Sequence, residues 1–62
     1  MKYFVYRSND LESPVFGPFH DVVEAARAAG IAPQDIINHG YDYYTGTNGE
    51  QEEYVIAMKG GS

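Results

Sequence analysis

The chain has 62 residues and a formal net charge of −5 at neutral pH, because nine Asp and Glu residues outnumber four Lys and Arg residues. Its hydrophobic content of 44% and aromatic content of 15% exclude an intrinsically disordered chain, and its length allows a single domain only. The absence of cysteine excludes a disulfide-stapled secreted fold and a thiolate metal site, so packing or oligomerisation must stabilise the domain.

The first predicted element is a strand from Lys2 to Arg7, a segment rich in aromatic and β-branched residues. Tyr3 and Val5 share one side of this strand, while Phe4 and Tyr6 share the other, so alternation does not decide which side is buried. The side left outside is a candidate binding or dimer surface.

The segment from Ser8 to Phe19 contains two prolines and one glycine, which interrupt any regular hydrophobic period. We therefore predict a wrapping loop here. Val15 and Phe16 are predicted to form a short extended piece within it.

A helix is predicted from Asp21 to Gly30. Asp21 and Glu24 have the spacing of a capping box, and Gly30 stands where a left-handed C-terminal cap belongs. The segment from Ala32 to Asp35 then predicts a turn or one helical turn, because proline is tolerated at a first helical position. The helix face predicted to pack on a sheet contains Val22, Val23, Ala25, Ala26 and Ala29.

Two further strands, Ile37 to Thr45 and Gln51 to Met58, are predicted to form a hairpin. The dipeptide Asn48-Gly49 favours a two-residue type I′ turn, which would place Thr47 opposite Glu50. This register pairs Thr45 with Glu52 and His39 with Met58, and it predicts a helix-facing side made of Tyr41, Tyr43, Tyr54, Ile56 and Met58. The outward side would pair Asp42 with Val55, Tyr44 with Glu53 and Gly40 with Ala57.

The predicted fold is α+β, with the order β-α-β-β. The most evenly apolar strand, Glu53 to Lys59, is placed in the centre of a three-stranded antiparallel sheet of order 1-3-2, with one helix on one face. Residues 1–59 would form the single domain. Residues 60–62, Gly-Gly-Ser, would be a flexible tail or a cloning remnant.

Few residues have a pattern typical of catalysis or metal binding. His20 and His39 are the only imidazoles; we expect His20 to flank the helix start and His39 to lie at the core edge beside Met58. His39 with Asp35 or Asp42 resembles half of an acid-base pair, but no nucleophile motif accompanies it. The two histidines lack metal-ligand spacing. The sequence thus predicts a protein without enzymatic activity, metal or cofactor.

Six tyrosines on a predicted sheet could stack bases, but the charge opposes direct nucleic-acid binding, which depends on Lys and Arg neutralising phosphates. The carboxylates gather in two places, on the predicted hairpin and on the loop after the first strand. They have two explanations: a solvated face that maintains solubility, or a surface that takes the place of phosphates in a basic groove. These carboxylates are Asp42, Glu50, Glu52, Glu53, Asp10 and Glu12.

In size, acidity and the interleaving of carboxylates with tyrosines such as Tyr44, the chain resembles phage-encoded anti-defence proteins, in particular anti-CRISPR proteins that mimic DNA. The resemblance extends over the whole chain and depends on type rather than on a motif. It implies a stoichiometric, non-enzymatic inhibitor that occupies the basic nucleic-acid channel of an effector complex. The implied contacts are Asp42, Tyr44, Glu50, Glu52 and Glu53, with Asp10 and Glu12 as a second patch.

Two other classes stay open. One is an antitoxin or small regulatory or adaptor subunit that binds a protein partner by its sheet edge or open face. The other is a homodimeric domain that binds a small ligand, with the Phe4 and Tyr6 side as the dimer contact. No apolar run is long enough for a membrane span or a signal peptide, so we expect a cytoplasmic protein, in the host cytoplasm if a phage encodes it.

Overall fold

The computed structural model describes residues 2–40 and 42–59. These residues form an antiparallel sheet of order β2-β1-β5-β4-β3, with one helix. No helix among them is long and apolar enough to cross a membrane. The elements are β1 (Lys2–Arg7), β2 (Phe16–Phe19), α1 (Val22–Ala28), a 3₁₀ turn (Pro33–Asp35), β3 (Ile37–Asn38), β4 (Tyr43–Thr47) and β5 (Glu53–Lys59).

The predicted three-stranded sheet is wrong, because the described sheet has five strands. The inner order β1-β5-β4 places the apolar strand β5 in the centre, as expected, and one further strand is added at each edge. β2 lies within the predicted wrapping loop, where Val5 pairs with Phe16 and the Val15 N–H donates to the Val5 carbonyl at 2.7 Å. An edge position tolerates the proline of β2, which has no N–H to donate.

The predicted continuous strand from Ile37 to Thr45 is also wrong, because the chain folds back within it. β3 pairs with β4 through Ile37 opposite Thr45 and Asn38 opposite Tyr44. Gly40 has a positive φ of 77°, a region that glycine adopts readily, and its N–H donates to Asn38 Oδ1 at 2.8 Å. The glycine and the asparagine together favour a reversal over an extended strand.

The β4–β5 hairpin does not contain the two-residue turn predicted at Asn48-Gly49. Thr47 lies opposite Glu53 rather than Glu50. The Gln51 N–H donates a hydrogen bond to the Asn48 carbonyl, which closes a turn, and Gln51 itself has a left-handed φ of 62°. This is the three-residue loop in which a turn is followed by a left-handed residue. The register moves by an odd number of residues, and therefore the two faces of β4 are exchanged relative to the prediction.

The helix prediction is confirmed at both ends. Asp21 Oδ1 accepts a hydrogen bond from the Glu24 N–H at 2.8 Å, which is an N-cap. At the C-terminus the Ile31 N–H donates to the Ala26 carbonyl at 2.8 Å, and Gly30 has a positive φ of 79°. This is a Schellman arrangement, and it turns Ile31 back into the core. The predicted single turn at Pro33 is confirmed as the 3₁₀ turn.

The core lies between α1 and one face of the sheet. Tyr54 and Ile56 face the helix as predicted, whereas Tyr43 does not; the predicted helix-facing residue Tyr41 lies outside the described residues. Helical periodicity predicts Val23 on the packing face of the helix, but its side chain is 41% exposed. Met58 is partly buried. The buried cluster consists of Val5, Ala25, Ala26, Ala29, Ile31, Tyr54 and Ile56.

Candidate functional site

The face of the sheet opposite α1 has no described helix over it, and we call it the open face. The register places Tyr6, Val55 and Ala57 on this side of the two inner strands, because their neighbours in sequence point into the core. Tyr43 on β4 and Ile37 on β3 continue the same side and are 37% and 57% exposed. The open face is therefore largely apolar, which is typical of a surface that binds a partner.

A groove of about 580 Å³ crosses the open face. Its volume falls within the range of roughly 300–1,000 Å³ that is usual for ligand pockets. Leu11, from the loop after β1, forms one side and is 60% exposed, the largest exposed fraction among the large hydrophobic residues described. The groove is lined by Tyr6, Leu11, Tyr43, Val55, Ala57 and Met58.

Exposed carboxylates lie next to this groove along the chain. Asp10 and Glu12 flank Leu11, and the Glu12 N–H donates to Asp10 Oδ1 at 3.2 Å. Glu53 shares the open side of β5 with Val55. Asp42 precedes Tyr43, and its carbonyl accepts a hydrogen bond from the Met58 N–H at 3.1 Å. Alternation directs the Asp42 side chain to the side opposite that of Tyr43, so its predicted place on the outward surface is wrong. Three of the predicted site residues, Asp10, Glu12 and Glu53, thus have exposed side chains and are close in the chain to residues that line the groove. We call Asp10, Glu12 and Glu53 the acidic rim.

Glu52 is not part of the acidic rim, because its carboxylate is occupied within the hairpin. Its Oε1 accepts hydrogen bonds from Asn48 Nδ2 at 3.1 Å and from the Tyr54 hydroxyl at 3.4 Å, and its Oε2 contacts Arg7 Nη1 at 3.4 Å. The hydrogen bond from Asn48, with that from Arg7 and the Arg7 charge, holds the pKa of Glu52 below its usual value. Glu52 therefore stabilises the loop conformation.

Asn48 organises this loop and explains where Glu50 lies. Asn48 Oδ1 accepts hydrogen bonds from the backbone N–H groups of both Glu50 and Glu52, each at 2.9 Å. Glu50 is exposed in the loop itself, beyond the last paired residues of β4 and β5. Neither Glu50 nor a residue next to it in the chain lines the groove, so we leave it out of the acidic rim.

Tyr44, predicted as the aromatic anchor of the acidic surface, is on the other side of the sheet. It is half-buried against the core, with its ring centroid 6.4 Å from that of Tyr3. Tyr43 takes the outward position instead. The sequence pattern missed this exchange, because three tyrosines occur within four residues and only the loop length decides which of them faces out.

His39 lies beside Tyr43 and not beside Met58, so its predicted place at the core edge is wrong. Its ring stacks on Tyr43 with centroids 4.8 Å apart and planes 10° apart, and its Nε2 is 2.8 Å from Thr45 Oγ1. Within residues 2–40 and 42–59, no group of three His, Asp or Glu side chains has the arrangement of a metal site. The stack restricts the orientation of the Tyr43 ring at the groove.

Comparisons of the chain with protein-family models, with curated proteins and with solved structures find no match.

Proposed function

We propose that this protein is a non-enzymatic inhibitor that binds a basic, nucleic-acid-binding protein through its open face. In this proposal the acidic rim meets cationic side chains that otherwise contact phosphates, in the manner of a DNA mimic. The single observation that carries the proposal is an apolar groove on the open face, with the exposed carboxylates of the acidic rim close in the chain to its lining residues. Protein interfaces have this organisation, with an apolar centre and a polar rim. The proposed place of action is the cytoplasm.

The distribution of positive charge supports the same partner. Arg7 pairs with Glu52 on the helix side, and Arg27 belongs to α1, which lies across the sheet from the groove. Lys2 is at the far end of β1 from Leu11. The Arg7 side chain is thus engaged by Glu52 on the helix side, and the acidic rim is left to attract a basic surface and to accelerate association with it. The same charge repels nucleic acid, so we propose no direct nucleic-acid contact.

The open face also favours a second candidate, a regulatory or adaptor subunit that binds a protein with no role in nucleic-acid binding. Ile37 and Tyr43 are exposed apolar residues of the kind that such an interface buries. The two candidates differ in one property of the partner, namely whether nucleic acid competes for the same site.

Competition tests the proposal. Partners retained by the immobilised protein from lysate of the organism that carries the gene are purified, loaded with fluorescently labelled DNA or RNA, and titrated with the free protein. We expect stoichiometric displacement of the nucleic acid, weaker at higher salt because exposed charges are screened. A stable ternary complex would exclude mimicry and leave the adaptor function in its place.

A charge-matched pair of variants locates the surface. Glu12→Gln with Glu53→Gln removes two charges from the acidic rim, and Glu24→Gln with Asp35→Asn removes two exposed charges from the helix and the 3₁₀ turn. We expect slower association and a flatter salt dependence for the first pair only, because rim charges act mainly on the association rate. Equal effects of both pairs would mean that net charge, and not this face, determines binding.

A further inference from the structure

The groove has features that identify the part of a partner it would take, an inference that depends on the proposed function. We infer that the groove is an anchor pocket for one aromatic side chain of an extended, Arg- or Lys-rich polypeptide segment. The cationic neighbours of that aromatic residue would meet the acidic rim on either side. This specifies a segment of the partner's chain, and not only its charge.

The groove presents a shaped apolar surface. Leu11 and Tyr43 stand at its sides with large exposed fractions, while Tyr6 within it is only 8% exposed. The Tyr43 ring is restrained because it stacks on the His39 ring. The backbone N–H of Asp10, next to Leu11, donates a hydrogen bond to the Arg7 carbonyl at 3.0 Å. A pocket with a restrained wall and a restrained supporting backbone loses less conformational entropy when it is filled.

Its size suits an aromatic side chain. Aromatic residues bury about 150–250 Å² each and dominate interface energetics. A groove of about 580 Å³ is within the usual size of ligand pockets and is large enough to take such a ring.

Charge decides the occupant between a basic segment and a second copy of this chain. A second copy would bring another net charge of −5 to the face, and the acidic rims of two copies would approach each other. Like charges brought together at an interface disfavour association. A segment with Arg or Lys beside its aromatic residue turns the same rim into an attraction.

Three synthetic peptides separate the contributions of ring and charge: Arg-Arg-Trp-Arg-Arg, Arg-Arg-Gly-Arg-Arg and Glu-Glu-Trp-Glu-Glu. Each is titrated into the isotope-labelled protein, and amide and methyl NMR shifts are followed. We expect the first peptide to shift the signals of Leu11, Tyr43 and Val55, and to bind about tenfold more tightly than either control, as loss of one anchor or of the charges implies. Signals of α1 should stay in place.

Variants test the location. Leu11→Ser should weaken binding of the first peptide about fivefold, and Val23→Ser, an exposed apolar residue of α1, should leave it unchanged. Equal binding of the Trp and Gly peptides would overturn the anchor pocket, equal binding of the acidic Trp peptide would overturn the cationic segment, and absence of groove shifts would overturn both. Concentration-dependent groove shifts without peptide would show that a second copy is the occupant, against our inference. Since the titration needs no natural partner, its failure and that of the competition assay are separate results.

Discussion

The two faces of the sheet differ in what holds them together. On the helix side, small alanines of α1 bring the helix close to β1 and β5, and Ile56 and Val5 are completely buried. On the open side, Tyr43 and Ile37 remain exposed and a groove lies between the loop after β1 and β4. The first face is therefore expected to determine stability, and the second to determine binding. Both are apolar, so apolar content alone does not distinguish a core from a binding surface.

The carboxylates show the same division. Glu52 takes part in hydrogen bonds and an ion pair that fix the hairpin, whereas Glu53, the next residue, belongs to the acidic rim. Adjacent residues at the end of a strand point to opposite sides of the sheet. Acidic residues that are clustered in the sequence therefore do not form a single surface. The following substitutions test this division in order of decreasing effect.

The largest expected effect is the loss of Ile56. Ile56→Ala should lower the free energy of unfolding by about 2–5 kcal/mol, because it leaves a cavity at a site with no exposure. The matched control is Ile37→Ala, the same substitution at a residue that is 57% exposed on the open side. Chemical denaturation of both variants provides the measurement, and equal losses would contradict the assignment of the core to the helix side.

The second effect concerns the close contact of β4 with Ile31. A Cβ built at Gly46 lies 2.7 Å from Ile31 Cγ2, so Gly46→Ala should cost about 1–3 kcal/mol through overpacking. Gly49→Ala, where the added carbon meets no atom within 4 Å, should change stability by less than about 0.5 kcal/mol.

Thermal melting compares the two glycine variants, and Ile31→Ala should relieve part of the cost of Gly46→Ala in the double variant. Additive losses in that double variant would show that Gly46 and Ile31 are not in contact.

The third effect is at the start of the helix. Asp21→Ala should lower stability by about 0.5–2 kcal/mol by removing the acceptor of the Glu24 N–H. Asp21→Asn retains an oxygen that can accept this bond and should recover most of the loss. Partner binding should be unaffected by either variant, since Asp21 lies on the helix side; a binding defect in a stably folded Asp21→Ala protein would argue against separate faces.

The smallest effect is the pH dependence due to Glu52. Its folded-state pKa lies below its unfolded value of about 4.3, so its stabilising contribution is complete above that pH and is lost as the pH falls through the folded-state pKa. The stability difference between wild type and Glu52→Gln should therefore be full at neutral pH and disappear in strong acid.

A carboxyl NMR titration checks the cause of this pH dependence. Asn48→Ala should raise the pKa of Glu52 towards its usual value, because Asn48 makes the largest contribution to lowering it. A Glu52 that titrates at the unfolded value in the wild-type protein would mean that the loop network is not formed in solution.

The sequence by itself determined the elements whose signals are local. The bounds of β1 follow from its aromatic and β-branched run, and both ends of α1 follow from Asp21 and Gly30, because a cap is made by neighbours along the chain. The central position of β5 follows from its even apolarity. The exposure of the Asp and Glu side chains could also be largely predicted from the sequence, since these residue types are seldom buried.

Only the tertiary structure decided the register, the edge strands and the division of the faces. Asn48-Gly49 is compatible with a two-residue or a three-residue loop, and the longer loop places Gly46 beneath Ile31 and Tyr44 beside Tyr3. These contacts join residues far apart in sequence, so no local pattern contains them. Because side chains alternate along a strand, that one change of loop exchanges Tyr44 for Tyr43 on the open face. The groove depends on the same change of register. It is lined by Tyr43 and by Leu11 from a loop distant in sequence, and only the formed sheet brings these two residues to one groove.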